Sequence, residues 1–200
     1  MATHTRTGPY TFTEFLELIP EDQKADLIDG AIYMASPESL DHNKLVFWLG
    51  TILNLFIEHH GLGELTINKV AYRLSHVTAP EPDLAFVRRD RVSICRQGYV
   101  DGPPDLAIEI VSPESVDRDY EDKRRRFEEA GVQEHWIIDP DECRATFLVR
   151  EAGRFVEAFP VEHLYRSRVL EGLAIDVRWL WQRPLPAALP IVQSLLKATS

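Results

Sequence analysis

Asp105-Leu106-Ala107-Ile108-Glu109-Ile110-Val111 is apolar after its first residue and interrupted only by Glu109. A run of this kind suits a strand buried on both faces, as at the centre of an α/β sheet. Pro103-Pro104 marks the entry to it, and Ser112-Pro113-Glu114-Ser115 turns the chain away. Side chains alternate along a strand, so Glu109 shares a face with Ala107 and Val111. An ionised carboxylate in such a place is costly without compensation. Two readings stand on the residues alone: a ligand for a hard cation, or an acid at a sheet edge paired with an arginine.

Working outward, Ser115 suits a helix cap, a helix follows over 117–130, and Gly131 closes it. Tyr120, Lys123 and Phe127 fall at spacings of three and four, which share one helix face. Lys123 therefore turns to the core, while Arg125 and Arg126 point elsewhere, to solvent or phosphate. Taken alone, this reads as a structural Lys123–Glu109 pair. A strand is expected at 135–138, a hairpin from 145–149 and 154–159, and a last strand at 173–177. A Pro-rich tail from Pro184 is expected to pack loosely.

On the other side, 84–87 reads as a short strand entered through Pro82-Asp83, and Asp83 alone is as well explained by a turn. Leu65 to Leu74 reads as one strand, and 88–102 as a short helix and loop. Leu45, Val46, Leu49, Ile52, Leu53, Phe56 and Ile57 give a long helix over 37–60, stopped by Gly61 and Gly63. His42 lies in its first turns. Asp26 to Ala35 reads as two strands around Asp29-Gly30. Thr11 or Thr13 caps a helix that carries Phe12, Phe15, Leu16, Leu18 and Ile19 and ends at Pro20.

The chain has 200 residues, 44% hydrophobic and 27% charged, enough for one compact α/β domain. No apolar stretch approaches the ~20 residues of a membrane span. The N-terminus lacks the apolar core of a signal peptide, and two cysteines supply neither a disulfide framework nor a zinc cluster. A cytoplasmic protein is expected. The net charge of -10, from 32 acids against 22 Lys plus Arg, excludes a generic basic DNA-binding surface. Any phosphate-binding surface must be local, at Arg88-Arg89-Asp90-Arg91 or Lys123-Arg124-Arg125-Arg126. No phosphate-cradling glycine loop and no Gly-x-Ser-x-Gly setting occurs.

The segments 25–30 (Ala-Asp-Leu-Ile-Asp-Gly), 81–84 (Glu-Pro-Asp-Leu), 104–113, Lys123, 131–140 and 170–173 together resemble the Uma-two family, a restriction-endonuclease-like branch of the PD-(D/E)xK nuclease superfamily. The resemblance runs over about residues 11–180. It implies a mixed central β-sheet flanked by helices, between a flexible arm at 1–10 and a C-terminal tail at 181–200. It also implies a DNA endonuclease in which Asp83, Glu109 and the backbone carbonyl of Ile110 hold Mg²⁺, with Mn²⁺ as a substitute. In the wider superfamily the lysine stands two residues after the second acid, where this chain has Val111. The family pattern moves it to the following helix, at Lys123. Asp26 and His42 are auxiliary candidates. Asp26 stands where the family usually has Glu, and Ala31 where it often has a second acid. The competing expectation is a catalytically degenerate relative that binds nucleic acid or protein. Because duplex cleavage takes two cuts, a homodimer is the expected assembly.

Overall fold

The structure, a computed structural model, describes residues 5–6, 8–20 and 23–198. It opens with β1 (Thr5–Arg6) and α1 (Phe12–Leu18). Thr11 caps α1 in a reciprocal box: the Glu14 N–H donates to Thr11 Oγ1 at 3.3 Å and the Thr11 N–H to Glu14 Oε2 at 2.8 Å. β2 (Ala25–Ile28) and β3 (Ala31–Met34) form an antiparallel hairpin. Its turn residues, Asp29 and Gly30, take φ of 52° and 78°, the left-handed pair that a tight hairpin turn requires. β1 pairs with β3, so Thr5 and Arg6 belong to a three-stranded sheet and not to a loose arm. The rest of the expected arm before Gly8 lies outside the described residues.

α2 (Leu40–His60) is capped by Ser39, whose Oγ accepts the His42 N–H at 3.1 Å, and is closed by Gly61 at φ 61°. β4 (Gly63–Ile67) and β5 (Ala71–Tyr72) replace the single strand expected over 65–74. The break has a backbone cause: Asn68 and Lys69 both take left-handed φ, 48° and 50°, which ends an extended run. β6 (Leu84–Arg88) is followed by a 3-10 turn and β7 (Tyr99–Val100), which pairs in parallel with β5. β8 (Leu106–Ile110) is buried at every residue, as its composition requires.

The helix expected over 117–130 begins as a π-helical turn, Arg118–Lys123, and only then becomes α3 (Arg124–Ala130). After it come β9 (Glu134–Asp139), β10 (Arg144–Glu151) and β11 (Arg154–Ala158). The central sheet runs β11-β10-β9-β8-β6-β4, parallel only between β8 and β9. β12 (Leu164–Arg166) and β13 (Ala174–Asp176) form a small antiparallel pair. The tail then forms α4 (Ala188–Ala198), contrary to a loose ending. Its stripe of Ile191, Val192 and Leu195 is buried in the main core with the face of α2.

The result is a single-domain mixed α/β fold in layers. On one side of the sheet, Leu45, Leu49, Ile52 and Phe56 of α2 cover Leu84, Phe86, Leu106, Ile108, Trp136 and Ile138. Each such large apolar side chain, fully buried, contributes about 1.5–3 kcal/mol. On the other side, Phe127 of α3 and Val132 cover Ala107, and Val111 packs with Ile137 and Leu148. Glu109 alternates onto this second side, beneath the π turn. No helix among the described residues is long and apolar enough to cross a membrane.

Candidate active site

Antiparallel register builds the site before any side chain is considered. Leu84 of β6 lies opposite Ile108 of β8. One step further places Asp83 opposite Glu109, at the end of the two strands, and residues directly opposed in an antiparallel pair present their side chains to the same face. The Ile110 N–H donates to Asp83 Oδ2 at 2.7 Å and fixes that carboxylate. The acid that reads as a mere turn in sequence is thus held by the central strand. Both acids line a pocket of about 420 Å³ together with Lys24, Glu38, His42, Ile110, Asp119 and Lys123.

Lys123 comes down from the π turn into a nest of acids. Its Nζ lies 3.0 Å from Glu109 Oε2, 3.2 Å from Asp26 Oδ2 and 3.5 Å from Asp119 Oδ1, and the side chain is buried. Burial alone would favour the neutral amine, but Asp26, Glu109 and Asp119 outweigh it and keep the ammonium charged. Arg118 adds a second cation, its Nε 3.1 Å from Asp26 Oδ2. Asp26 also accepts the Glu81 N–H at 2.8 Å. Despite burial, Lys123 and Arg118 hold the Asp26 carboxyl below its ordinary range. For its neighbour Glu81, burial and then Asp26 push the carboxyl up to about 8, against the opposing Ala25 N–H, Lys24 and Lys123.

Glu109 is buried beside Lys123. Burial pushes its pKa well above the usual carboxylate range; Lys123 opposes this, while Asp119, Asp83 and Asp26 add to it. Oε2 is committed to Lys123, whereas Oε1 is buried without a hydrogen-bond partner. A buried oxygen with free lone pairs is what a hard divalent cation would take up. On this observation Glu109 fits such an ion as an oxygen donor, in the pocket that Asp83 and Ile110 also line.

The other half of the pocket is organised around His42. Its Nε2 lies 3.0 Å from the Ile110 carbonyl oxygen and 3.5 Å from Asp83 Oδ2, and its Nδ1 lies 3.3 Å from Glu38 Oε2. Burial would lower its pKa, but hydrogen bonding and charge from Asp83 and Glu38 raise it to about 10. The imidazolium accordingly donates to the Ile110 carbonyl, the group expected to face the metal. Lys24 Nζ is ion-paired with Asp83 Oδ1 and lies 3.6 Å from Glu38 Oε1. Burial works against the Asp83 carboxylate, yet Lys24, His42 and Lys123 hold it well below the ordinary range. Glu38, His42 and Asp83 offer donor atoms within 4.8 Å of one another, a group that shares Asp83 with the expected set and does not include Glu109.

Every site residue expected from sequence (Asp26, His42, Asp83, Glu109, Ile110 and Lys123) meets in this one region. Lys24, Glu38, Asp119 and Arg118 were not foreseen. Asp119 and Glu38 had a signal in their spacing, four residues before Lys123 and His42 respectively, although Glu38 stands just ahead of the Ser39 cap of α2. Lys24 had none: its partner Asp83 is 59 residues away. The two basic stretches are largely spent on intramolecular pairs. Arg91 Nη1 lies 2.8 Å from Asp105, Arg88 Nε 3.8 Å from it, and Arg125 and Arg126 both meet Asp29.

The fold and sequence can be set beside known proteins. Residues 12–178 match the family model Uma2, described as "Putative restriction endonuclease". A crystal structure of a "putative nuclease belonging to DUF820" from Anabaena variabilis superposes with a TM-score of 0.71 at 19% identity, covering 86% of this chain and 98% of that one. At that identity the likeness speaks for the fold. No curated protein matches the sequence. With a family model spanning the central sheet and every residue of the pocket's acid–lysine cluster, the chain belongs to the Uma2 family of restriction-endonuclease-like proteins.

Proposed function

We propose that the chain is a divalent-metal-dependent DNA endonuclease whose reaction centre is Asp83, Glu109 and Lys123. One observation carries the reading: Glu109, whose Oε1 is buried without a hydrogen-bond partner, lines the same pocket as Asp83 and the buried Lys123. Asp83 and Glu109 would hold a Mg²⁺ ion, with the Ile110 carbonyl once His42 gives it up. A divalent ion so bound supplies Lewis acidity toward a phosphate oxygen and makes a water more acidic. Lys123, fixed by three carboxylates, keeps a positive charge beside Glu109 where negative charge would build on the scissile phosphate. Asp119 and Asp26 hold that ammonium in place. Two copies acting together would cut both strands of a duplex.

The Glu38–His42–Asp83 group favours a second reading of the cation. Once His42 gives up its proton, a nitrogen among oxygen donors suits Mn²⁺ or another first-row ion better than Mg²⁺. The deciding experiment is cleavage of plasmid and single-stranded DNA with Mg²⁺ or Mn²⁺, comparing wild type with Glu109→Ala and Lys123→Ala. Both variants should lose at least about 100-fold in rate. Full metal-dependent cleavage by Glu109→Ala would sink the assignment, and activity with Mn²⁺ alone would favour the histidine-containing set.

A further inference from the structure

Both oxygens of Asp83 are engaged. Oδ2 accepts the Ile110 N–H at 2.7 Å with His42 Nε2 at 3.5 Å, and Oδ1 carries the Lys24 ammonium. Lys24 reaches this place from the residue before β2, and its Nζ also lies 3.6 Å from Glu38 Oε1. It therefore stands between two members of the group whose donor atoms crowd within 4.8 Å, where a cation would be bound. The side chain is not sealed in: 14% of it is exposed, against 3% for Asp83, and it lines the open pocket.

We propose that Lys24 is an internal cation standing in the metal's place on Asp83, displaced when a divalent ion enters and then available to a phosphate oxygen of the substrate. The inference rests on Asp83 being a metal ligand. Two cations cannot share one carboxylate oxygen at contact distance without strong repulsion, so the ammonium and the ion exclude each other there. Lys123 is differently placed. It sits among three carboxylates, and on Glu109, which would also hold the ion, it takes Oε2 and leaves Oε1 free, so it stays where it is when the ion binds. The two lysines thus divide the labour: one is fixed, and the other leaves. The lysine's flexible four-carbon stem lets the released ammonium swing into the pocket without moving β2.

The test is calorimetric titration of Mn²⁺ and Mg²⁺ into the metal-free protein without DNA, for wild type, Lys24→Met and Lys24→Arg. Removing the competitor should tighten metal binding by about tenfold or more in Lys24→Met, while Lys24→Arg, which keeps a cation on Asp83, should gain little. DNA binding in Ca²⁺, where cleavage is suppressed, should move the opposite way in Lys24→Met: about three- to tenfold weaker, with a shallower salt dependence. Tighter metal with weaker DNA is a signature that a purely structural lysine would not give. In wild type, the Lys24 Cε resonance should shift as metal is added, which needs no variant to fold. Equal or weaker metal affinity in folded Lys24→Met, or a Lys24 signal unmoved at saturating metal, overturns the displacement. Unchanged DNA binding by that variant overturns the phosphate contact. Failure of wild type to bind DNA at all counts against the nuclease reading and leaves the calorimetry to decide the displacement alone.

Discussion

Glu109 on β8 and Glu134 on β9 are buried carboxylates on neighbouring strands, 1% and 0% exposed, yet the protein treats them in opposite ways. Glu134 is saturated. Oε1 accepts Trp136 Nε1 at 2.6 Å and the Tyr165 hydroxyl at 2.7 Å; Oε2 accepts Ser167 Oγ at 2.9 Å and the N–H groups of Arg168 and Val169 at 2.8 Å. It ties β9 to β12 and the loop beyond. Glu109 has Lys123 on one oxygen and nothing on the other. A carboxylate whose lone pairs are all taken is a fastener; one left partly unsatisfied at the same depth retains the capacity to bind. Depth of burial is the same for these two acids; hydrogen-bond saturation is what tells them apart.

The contrast can be broken most directly by a crossed pair of substitutions. Glu134→Ala strands five donors in the core and should cost about 3–5 kcal/mol in urea unfolding. Glu109→Gln keeps an acceptor for Lys123 and should change stability by less than about 1 kcal/mol while abolishing metal-dependent cleavage. If Glu109→Gln unfolded as readily as Glu134→Ala, both would be fasteners and the distinction would fall.

A smaller effect is expected from His135 of β9, opposite Ala107 of β8. Its Nδ1 lies 3.1 Å from the Ala107 carbonyl oxygen, and its ring is packed by Phe127 and Phe155. Burial is the main cause that lowers its pKa to about 3, with Lys123 and Arg124 adding to it. The unfolded chain, near 6.5, binds the proton more readily. Stability is therefore full above that value and declines as pH falls toward 3, by up to about 1.4 kcal/mol per pH unit. Melts between pH 7 and 4 should show His135→Gln with the shallower slope; parallel slopes would assign the acid sensitivity to other groups. The smallest effect belongs to Ser167→Ala. It removes one donor of five from Glu134 and should cost about 1–2 kcal/mol with cleavage untouched. A change in cleavage would mean that the saturated carboxylate is coupled to the site after all.

What could be read from the chain follows the reach of each interaction. The β8 run is uniform over its length, so its burial and alternation are written locally, and the three- and four-residue spacings around Lys123 fix its face. Breaks depend on backbone choices that neighbours do not dictate: Asn68 and Lys69 look ordinary in sequence, yet their left-handed conformations divide one expected strand into two. The tail hid an amphipathic helix behind its prolines because Ile191, Val192 and Leu195 gain meaning only once α2 offers a surface. Lys24 is the extreme case. Nothing near it in the chain announces a partner, and Asp83 reaches it only after β2 and β6 are in place. Glu134 escaped notice for the same reason, since its partners on β12 and beyond are more than thirty residues downstream.

The π turn at Arg118–Lys123 has a consequence for how this site tolerates change in chain length. A π turn spends one more residue per turn than an α-helix, so it is an insertion accommodated without lengthening the helix. Losing one residue from it would restore ordinary α winding and leave what precedes in nearly the same angular phase relative to α3. Arg118 and Asp119 would stay near the face that Phe127 anchors. Losing one residue between Lys123 and Phe127 would instead rotate them by about 100°. Between relatives of this chain, a one-residue gap within Arg118–Lys123 is therefore the change of length that the acid nest around Lys123 tolerates best.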